Sequence, residues 1–190
     1  MVAKQRQGGP DLGGTLVEGA DTIVTAGTRL QAMVDEFSRF ARMPQPQPRM
    51  ISLASLAGEL LPLYAGIRPE VEVRAEVPGD LELYADPDQL RRVLINLLDN
   101  AIEATEGPGE VVIAGNDLGE RVAIEVRDSG RGIPAEQREK VFLPFYSTKG
   151  RGTGLGLAIV LRIVADHNGV IQVADNAPAG TIFRVELPRQ

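Results

Sequence analysis

The chain has 190 residues, with 20 Lys and Arg against 26 Asp and Glu and a formal net charge of −6. Its hydrophobic fraction of 43% supports a folded core and excludes a wholly disordered chain. With no Cys and one His, it lacks the ligands of a disulfide framework, a thiolate metal site or a His-rich metal site. The acidic balance argues against bulk nucleic-acid binding, and no apolar run approaches the roughly 20 residues of a membrane span. No signal peptide is visible, so we expect a soluble, cytoplasmic protein.

The start of the chain predicts a flexible segment followed by a long helix. Residues 1–15 are rich in Gly and polar groups. Over residues 16–43, apolar or small side chains recur every seven positions in two series offset by three, which indicates an a/d heptad seam. The series are Ala20, Gly27, Val34, Ala41 and Ile23, Leu30, Phe37. Such a helix packs along another helix, although a plain amphipathic helix lying on its own domain has the same period.

Three alternating prolines, Pro44, Pro46 and Pro48, end this helix. Proline lacks an amide proton and restricts φ, so residues 44–49 predict a stiff extended linker and a domain boundary. An ordinary surface loop is the alternative. Residues 50–190 then read as one mixed α/β domain.

Within that domain, helices and strands follow each other in a largely antiparallel order, which excludes a doubly wound parallel sheet. Ser52 can cap one helix, and Asp86 followed by Pro87 is a strong helix start. Helices are predicted over about 53–64, 87–105 and 155–167, and strands near 71–77, 81–83, 110–116, 121–127, 170–175 and 181–187.

The first motif that carries chemistry lies on the second of these helices and reads Asn-Leu-Leu-Asp-Asn-Ala over residues 96–101. Asn96 and Asn100 are four residues apart, so both amides lie on one helix face. An unsatisfied buried polar group costs about 1–3 kcal/mol, so these amides need partners. A hydrated Mg²⁺ with its phosphates is one such partner, and neighbouring backbone is the other.

The second motif, Asp-Ser-Gly-Arg-Gly over residues 128–132, directly follows a strand. Its glycines allow a tight turn against a flat ligand. The Asp128 carboxylate is an acceptor suited to an exocyclic amino group such as that of adenine. A plain Asp-Gly turn has the same composition.

The third motif runs from Lys149 to Leu157 as Lys-Gly-Arg-Gly-Thr-Gly-Leu-Gly-Leu and opens a helix. Backbone amides at a glycine-rich helix N-terminus favour anions, and Lys149 adds positive charge. The pattern matches neither a Walker loop nor a Rossmann turn. It predicts a lid over a triphosphate, or else a flexible loop.

Four segments, taken together, resemble the conserved boxes of sensor histidine kinases, which belong to the superfamily that includes gyrase, Hsp90 and MutL. Residues 96–101 resemble the N box, 128–132 the G1 box, 142–145 the F box and 152–157 the G2 box. Gly-Thr-Ile-Phe at 180–183 resembles the closing strand of that family. The segment from Asp35 to Pro44 further resembles NtrY-like, nitrogen-regulation sensor kinases, where it ends the second helix of the dimerisation hairpin.

This resemblance implies an α+β two-layer sandwich of the Bergerat type, preceded by the heptad-patterned helix, with ATP and Mg²⁺ as cofactors. Asn100 would coordinate Mg²⁺, with Asn96 beside it in the phosphate pocket. Asp128 would accept a hydrogen bond from the adenine amino group, with Thr181 acting at that end through water. The other expected nucleotide contacts are Gly130 and Gly132 beside the base, and Lys149, Gly152, Thr153, Gly154, Leu155 and Gly156 at the phosphates. Phe142, Phe145 and Tyr146 would anchor the lid or pack in the core.

Two departures from the family pattern affect the expected reaction. The ATPase branch carries Glu at the position of Asn96, and an amide cannot serve as a general base, so we expect phosphoryl transfer to a protein nucleophile rather than hydrolysis. No box with a phosphoacceptor histidine is present. The single His167 resembles the turn that ends the lid helix and is predicted to be structural. This chain alone is therefore not expected to autophosphorylate.

The resemblance also implies partners. The acceptor histidine would come from the hairpin helix of the parent kinase or from a partner chain, and a response regulator would receive the phosphoryl group next. Residues 16–43 are expected to form a homodimer, and a membrane-anchored parent protein is compatible with the family. The alternative is a nucleotide-dependent interaction module without kinase activity.

Overall fold

The computed structural model describes residues 42–147 and 153–189, together with Val24, residues 27–28, residues 30–31, Val34 and Ser38. The chain divides into two compact units, Met1–Met43 and Pro44–Gln190.

In the first unit, the described residues between Val24 and Ser38 are helical. The hydroxyl of Thr28 donates to the carbonyl of Val24 at 2.9 Å, four residues earlier along the chain. Leu30 and Val34, both at predicted seam positions, are 63% and 57% exposed. The helix is thus present where the chain is described, whereas its extent over 16–43 and its pairing remain predictions.

The second unit is built on a five-stranded sheet with the order β2-β4-β5-β7-β6. Its elements are β1 (Arg49–Ser52), α1 (Leu53–Tyr64), β2 (Val71–Glu76), β3 (Glu82–Ala85), α2 (Pro87–Ala104), β4 (Gly109–Asp117), β5 (Arg121–Asp128), α3 (Gly156–Asp166), β6 (Val170–Asp175) and β7 (Thr181–Pro188), with 3-10 turns at Ala135–Gln137 and Lys140–Phe142. Only the β2–β4 pair among these strands is parallel. β1 and β3 form a separate antiparallel pair.

Local signals start the helices as predicted. The Ser52 hydroxyl accepts the N–H of Ser55 at 3.2 Å, which caps α1. The Asp86 carboxylate accepts the N–H groups of Asp88 and Gln89, and Pro87 occupies the first helical position of α2. Both caps satisfy backbone donors that have no partner inside the helix.

The helices pack on one face of the five-stranded sheet. In β7, Thr181, Phe183, Val185 and Leu187 are buried, and the residues between them are half-buried, as a strand with one covered face requires. The large core side chains include Leu94, Leu97, Leu98, Ile113, Ile124, Ile159 and Ile163. The opposite face carries ion pairs, in which Arg127 and Arg184 hold Glu125 at 2.6 and 2.8 Å. The predicted two-layer arrangement is confirmed.

The structure adds a strand and a set of contacts at the start of the second unit. β1 is not predicted, and it pairs with β3 through Met50 opposite Tyr84. The second compact unit includes the proline segment, since it begins at Pro44. The amide of Gln89 donates to the Pro44 carbonyl at 3.1 Å, and the Gln47 N–H donates to Asp86 at 2.8 Å. These two bonds attach the segment to the start of α2, and the predicted linker and domain bounds stay predictions.

Candidate nucleotide-binding site

The carboxylate of Asp128 lies at the end of β5 and is only 2% exposed. Its Oδ1 accepts two backbone hydrogen bonds, from Gly130 N–H at 2.9 Å and from Thr181 N–H at 3.2 Å. These donors come from the following loop and from β7, so they hold the side chain from two directions. A carboxylate has two oxygens and about four lone-pair positions, so it can accept further donors.

The glycines of the 128–132 motif bring the loop backbone close to the end of α2, while their predicted place beside a base stays a prediction. A Cβ on Gly130 would overlap the carbonyl of Ala104, the last residue of α2. The N–H of Arg131 donates to that same carbonyl at 3.2 Å. Gly132 has a φ of +74°, which favours glycine. The loop after Asp128 is therefore joined to the C-terminal end of α2.

Asn96 and Asn100 lie on one face of α2 and are both half-buried. The Asn96 amide donates to the carbonyl of Arg92 at 2.8 Å, so it is satisfied within its own helix. A Cβ on Gly156 would lie 2.6 Å from Asn96 Oδ1, which brings the start of α3 against this amide. Among the described residues, the Asn100 side chain has no hydrogen-bond partner in the protein.

The donors on this face fit a magnesium–phosphate ligand better than an all-protein metal cage. No group of three or more His, Cys, Asp or Glu in the described part of the chain could hold a metal ion. Mg²⁺ prefers oxygen ligands and keeps several waters, so one amide oxygen together with phosphate oxygens is a suitable donor set.

The described part of the third motif, residues 153–157, includes the first two residues of α3. Leu155 is fully buried, and its N–H donates to Thr153 Oγ1 at 3.3 Å. Gly154 has a φ of +70°, and its carbonyl accepts the Phe145 N–H at 3.0 Å. The predicted contacts Lys149 and Gly152 lie outside the described residues.

The aromatic residues of the F segment divide between core and surface. Phe142 is half-buried and meets Phe183 edge to face, with ring centroids 6.4 Å apart. Phe145 is 52% exposed and has a φ of +64°, while Tyr146 is half-buried. Phe142 therefore takes the packing role, and Phe145 lies beside the motif that precedes α3.

His167 is structural, as the sequence predicts. The ring is 9% exposed, Nε2 accepts the N–H of Asp86 at 3.0 Å, and Nδ1 lies 2.8 Å from the carbonyl of Ile163. Both ring nitrogens are thus used, and they join the end of α3 to the start of α2. Burial alone would raise the pKa of Asp86, but the backbone N–H donors of Gln47, Gln89 and Asp88 lower it below its ordinary value.

Two contacts near the site are absent from the sequence prediction. The buried Tyr64 hydroxyl donates to Asp99 at 2.9 Å, which ties α1 to α2. Burial raises the pKa of Tyr64, and the hydrogen bond to Asp99 adds to that effect. The Asn176 amide donates to the backbone carbonyl of Asp128 at 2.8 Å. The residues next to an asparagine in a turn do not indicate that its side chain bonds to a residue so far away along the chain.

Comparison with known proteins identifies the family. The family described as "Histidine kinase-, DNA gyrase B-, and HSP90-like ATPase" matches residues 85–190. Nitrogen regulation protein NtrY of Azorhizobium caulinodans is 37% identical over 84% of this chain and 22% of its own length. Sensor histidine kinase ZraS of Escherichia coli K12 is 36% identical over 93% of this chain and 38% of its own length. The chain thus spans well under half of these curated relatives.

Solved structures show the same fold. The catalytic domain of histidine kinase ThkA superimposes with a TM-score of 0.70 at 37% identity, covering 75% of this chain and 96% of that domain. ThkA in complex with response regulator TrrA gives a TM-score of 0.75 at 30% identity, covering 98% of this chain and 54% of ThkA. No helix among the described residues is both long and apolar enough to cross a membrane.

Proposed function

The chain belongs to the histidine kinase-, DNA gyrase B- and HSP90-like ATPase family, and we propose that it is the ATP-binding catalytic part of a two-component sensor histidine kinase. The observation that carries the proposal is the buried Asp128 carboxylate, held by two backbone N–H groups at the end of a strand. In this position it accepts a hydrogen bond from the amino group of adenine. Thr181, also buried and next to it, acts at the same end through water.

The phosphates lie between α2 and the start of α3. Asn96 lies beside Gly156, where the free N–H groups of a helix N-terminus favour anions. Lys149 and the backbone from Gly152 to Gly156 complete the cradle. Asn100 would supply an amide oxygen to Mg²⁺, and the bound ion would neutralise charge that develops on the phosphates.

The reaction is transfer of the γ-phosphoryl group to a histidine of a partner segment. The imidazole nitrogen bonds to the γ-phosphorus, the bond to the β–γ bridging oxygen breaks, ADP leaves, and the ring proton goes to solvent. Asn96 stands where a general base for water would be needed, so transfer is favoured over hydrolysis. The protein contributes positioning and electrostatic stabilisation. His167 is not the acceptor, because it is buried and both ring nitrogens are engaged.

The partners follow from the same family. The acceptor histidine belongs to a hairpin helix of the parent kinase or of a partner chain, and residues 16–43 form the homodimer. A response regulator receives the phosphoryl group, as the ThkA complex with TrrA suggests. This part of the protein works in the cytoplasm, where ATP is available.

Calorimetric titration with Mg-ATP, followed by product analysis of the same sample, tests the proposal. We expect binding with ATP left intact, and phosphoryl transfer once a hairpin with an acceptor histidine is added. Rapid release of ADP would indicate an ATPase. Absence of ATP binding would contradict the proposal and indicate a protein that acts only as an interaction scaffold.

Asp128→Asn tests the adenine contact, with Asp117→Asn as the matched control. Asp117 ends the neighbouring strand β4, and its side chain is 45% exposed in a surface ion pair. ATP affinity should fall about 10–100-fold in Asp128→Asn, because a hydrogen bond to a charged acceptor is lost. It should be unchanged in Asp117→Asn. Equal affinities in both variants would show that Asp128 does not bind the base.

A further inference from the structure

Asn176 lies in the turn between β6 and β7 and holds the backbone of Asp128. Its Nδ2 donates to the Asp128 carbonyl at 2.8 Å, across 48 residues of chain. Since the partner is a carbonyl, the amide nitrogen must face it, which settles the orientation of the side chain. The contact is between a turn and a strand end that lie far apart in the sequence.

The Asp128 carbonyl lies just beyond the regular pairing of β5 with β7. The register of β5 and β7 ends at Arg127 opposite Ile182. One step further, the Thr181 N–H donates to the Asp128 side chain at 3.2 Å. The β7 donor therefore goes to the carboxylate, and the backbone carbonyl takes its hydrogen bond from Asn176.

The turn that carries Asn176 is itself held close to Asp128. The Asn176 N–H donates to the Gly180 carbonyl at 3.1 Å, which closes the turn. Gly180 has a φ of +119°, and a Cβ there would overlap the Asp128 carbonyl oxygen. Asn176 therefore cannot move away from Asp128 without opening the turn.

We propose that Asn176 is a positioning residue for base selection: it fixes the Asp128 peptide so that the carboxylate faces a 6-amino purine and disfavours a 6-oxo purine. This inference rests on the proposed role of Asp128. The Ser129 N–H of the same peptide donates to the Glu110 carbonyl at 3.1 Å, so Asn176 and β4 hold the peptide from opposite sides. Without the Asn176 donor the peptide loses one of these two supports, and the carboxylate departs from the direction that the amino group needs. A role limited to closing the turn would instead change stability and affect every nucleotide equally.

The test compares Mg-ATP with Mg-ITP, whose base carries oxygen in place of the amino group. Asn176→Asp keeps the shape of the side chain but removes the donor, and Asn176→Ala removes it without adding charge. Asn116→Asp and Asn116→Ala, at an exposed position of β4, are the matched controls. Thermal unfolding checks that each variant is folded.

The wild type should bind Mg-ATP more tightly than Mg-ITP. In each Asn176 variant the affinity for Mg-ATP should fall about tenfold, while the affinity for Mg-ITP should change little. The Asn116 variants should behave as the wild type. Equal losses for both nucleotides, or an unchanged preference, would overturn the inference while leaving Asp128 as the base contact. A wild type without preference, together with unchanged binding by Asp128→Asn, would instead overturn the proposed function itself.

Discussion

The two ends of the proposed nucleotide site are built in different ways. At the base end, Asp128 is held by the N–H groups of Gly130 and Thr181, and its carbonyl by Asn176. At the phosphate end, counting the described parts of the protein alone, the Asn96 side chain bonds within its own helix and the Asn100 side chain has no hydrogen-bond partner. The base end is therefore formed by strand and turn backbone, whereas the amides of the proposed phosphate end would gain their partners from a bound ligand.

This difference bears on affinity and selectivity. A preorganised acceptor loses little conformational freedom on binding, so it can discriminate between bases. The amides of α2 can turn without breaking tertiary hydrogen bonds, so they can follow a phosphate and its ion. If the comparison is correct, a substitution that disturbs the packed backbone at the base end should damage the fold, whereas removal of an amide at the phosphate end should damage ligand binding and leave the fold intact.

Gly180→Ala should have the largest effect, because its Cβ would overlap backbone and its φ of +119° is unfavourable for alanine. We expect the free energy of unfolding to fall by more than about 3 kcal/mol, measured by urea denaturation. The matched control is Gly58→Ala in α1, where nothing lies near the added methyl group. That variant should be more stable by about 0.5–1 kcal/mol. Similar stabilities of the two variants would contradict a rigid base end.

Asn100→Ala should have the next largest effect, on binding rather than on folding. We expect Mg-ATP affinity to fall about 10–100-fold, the range seen when groups around a metal are removed. With ATP and a chelator instead of Mg²⁺, wild type and variant should bind alike. Asn116→Ala serves as the control on an exposed strand position. A loss that persists without Mg²⁺ would mean that Asn100 does not act through the ion.

Asp86→Asn should have a smaller, pH-dependent effect on the start of α2. The folded-state pKa of Asp86 lies below its ordinary value of 3.8, because its backbone N–H donors outweigh burial. The ionised form therefore stabilises the folded protein above pH 3.8, and this contribution is lost as the pH falls through the folded-state pKa. Unfolding of wild type and variant across this range should show a stability difference that shrinks in acid. Asp88→Asn, in the exposed first turn of α2, should show a smaller difference at neutral pH.

Gly156→Ala should have the smallest effect on stability, and it sharpens the comparison with Gly180. Its Cβ would lie 2.6 Å from Asn96 Oδ1, which is the far end of a flexible side chain. Asn96 can rotate away, so the free energy of unfolding should change by about 0.5 kcal/mol or less. Urea denaturation of Gly156→Ala and Gly180→Ala under the same conditions checks this. A large loss in Gly156→Ala would mean that the phosphate end is as rigid as the base end.

Much of the fold is predictable from neighbouring residues. Ser52 caps α1, Asp86 and Pro87 start α2, and alternation in β7 marks its buried face. β1 is not predictable, because its residues carry no clear alternation and its partner β3 lies far along the chain. Leu63 of α1 is likewise not predictable: it follows the buried Leu56 and Leu60 at helical spacing, yet its side chain is 60% exposed.

In the candidate site, too, some features are predictable from the sequence and others are not. The motif residues Asp128, Asn96 and Asn100 are recognisable from their spacing and from the family resemblance. The contacts that position these side chains cannot be recognised from the sequence, because Thr181 and Asn176 bond to Asp128 from 53 and 48 residues away along the chain. Nothing in the residues around Asn176 distinguishes it from any asparagine in a turn.

The amino-acid sequence by itself determined the helix starts, the buried faces of the strands and the identity of the polar groups in the motifs. Capping and periodicity act over a few residues, so they can be read locally. Tertiary structure alone decided that the Asp128 carboxylate takes the β7 donor and that its carbonyl takes Asn176. It also joined the proline segment to Asp86 and Gln89. These choices depend on where distant strands and turns meet when the chain closes, because each buried polar group must find whichever partner the packing places beside it.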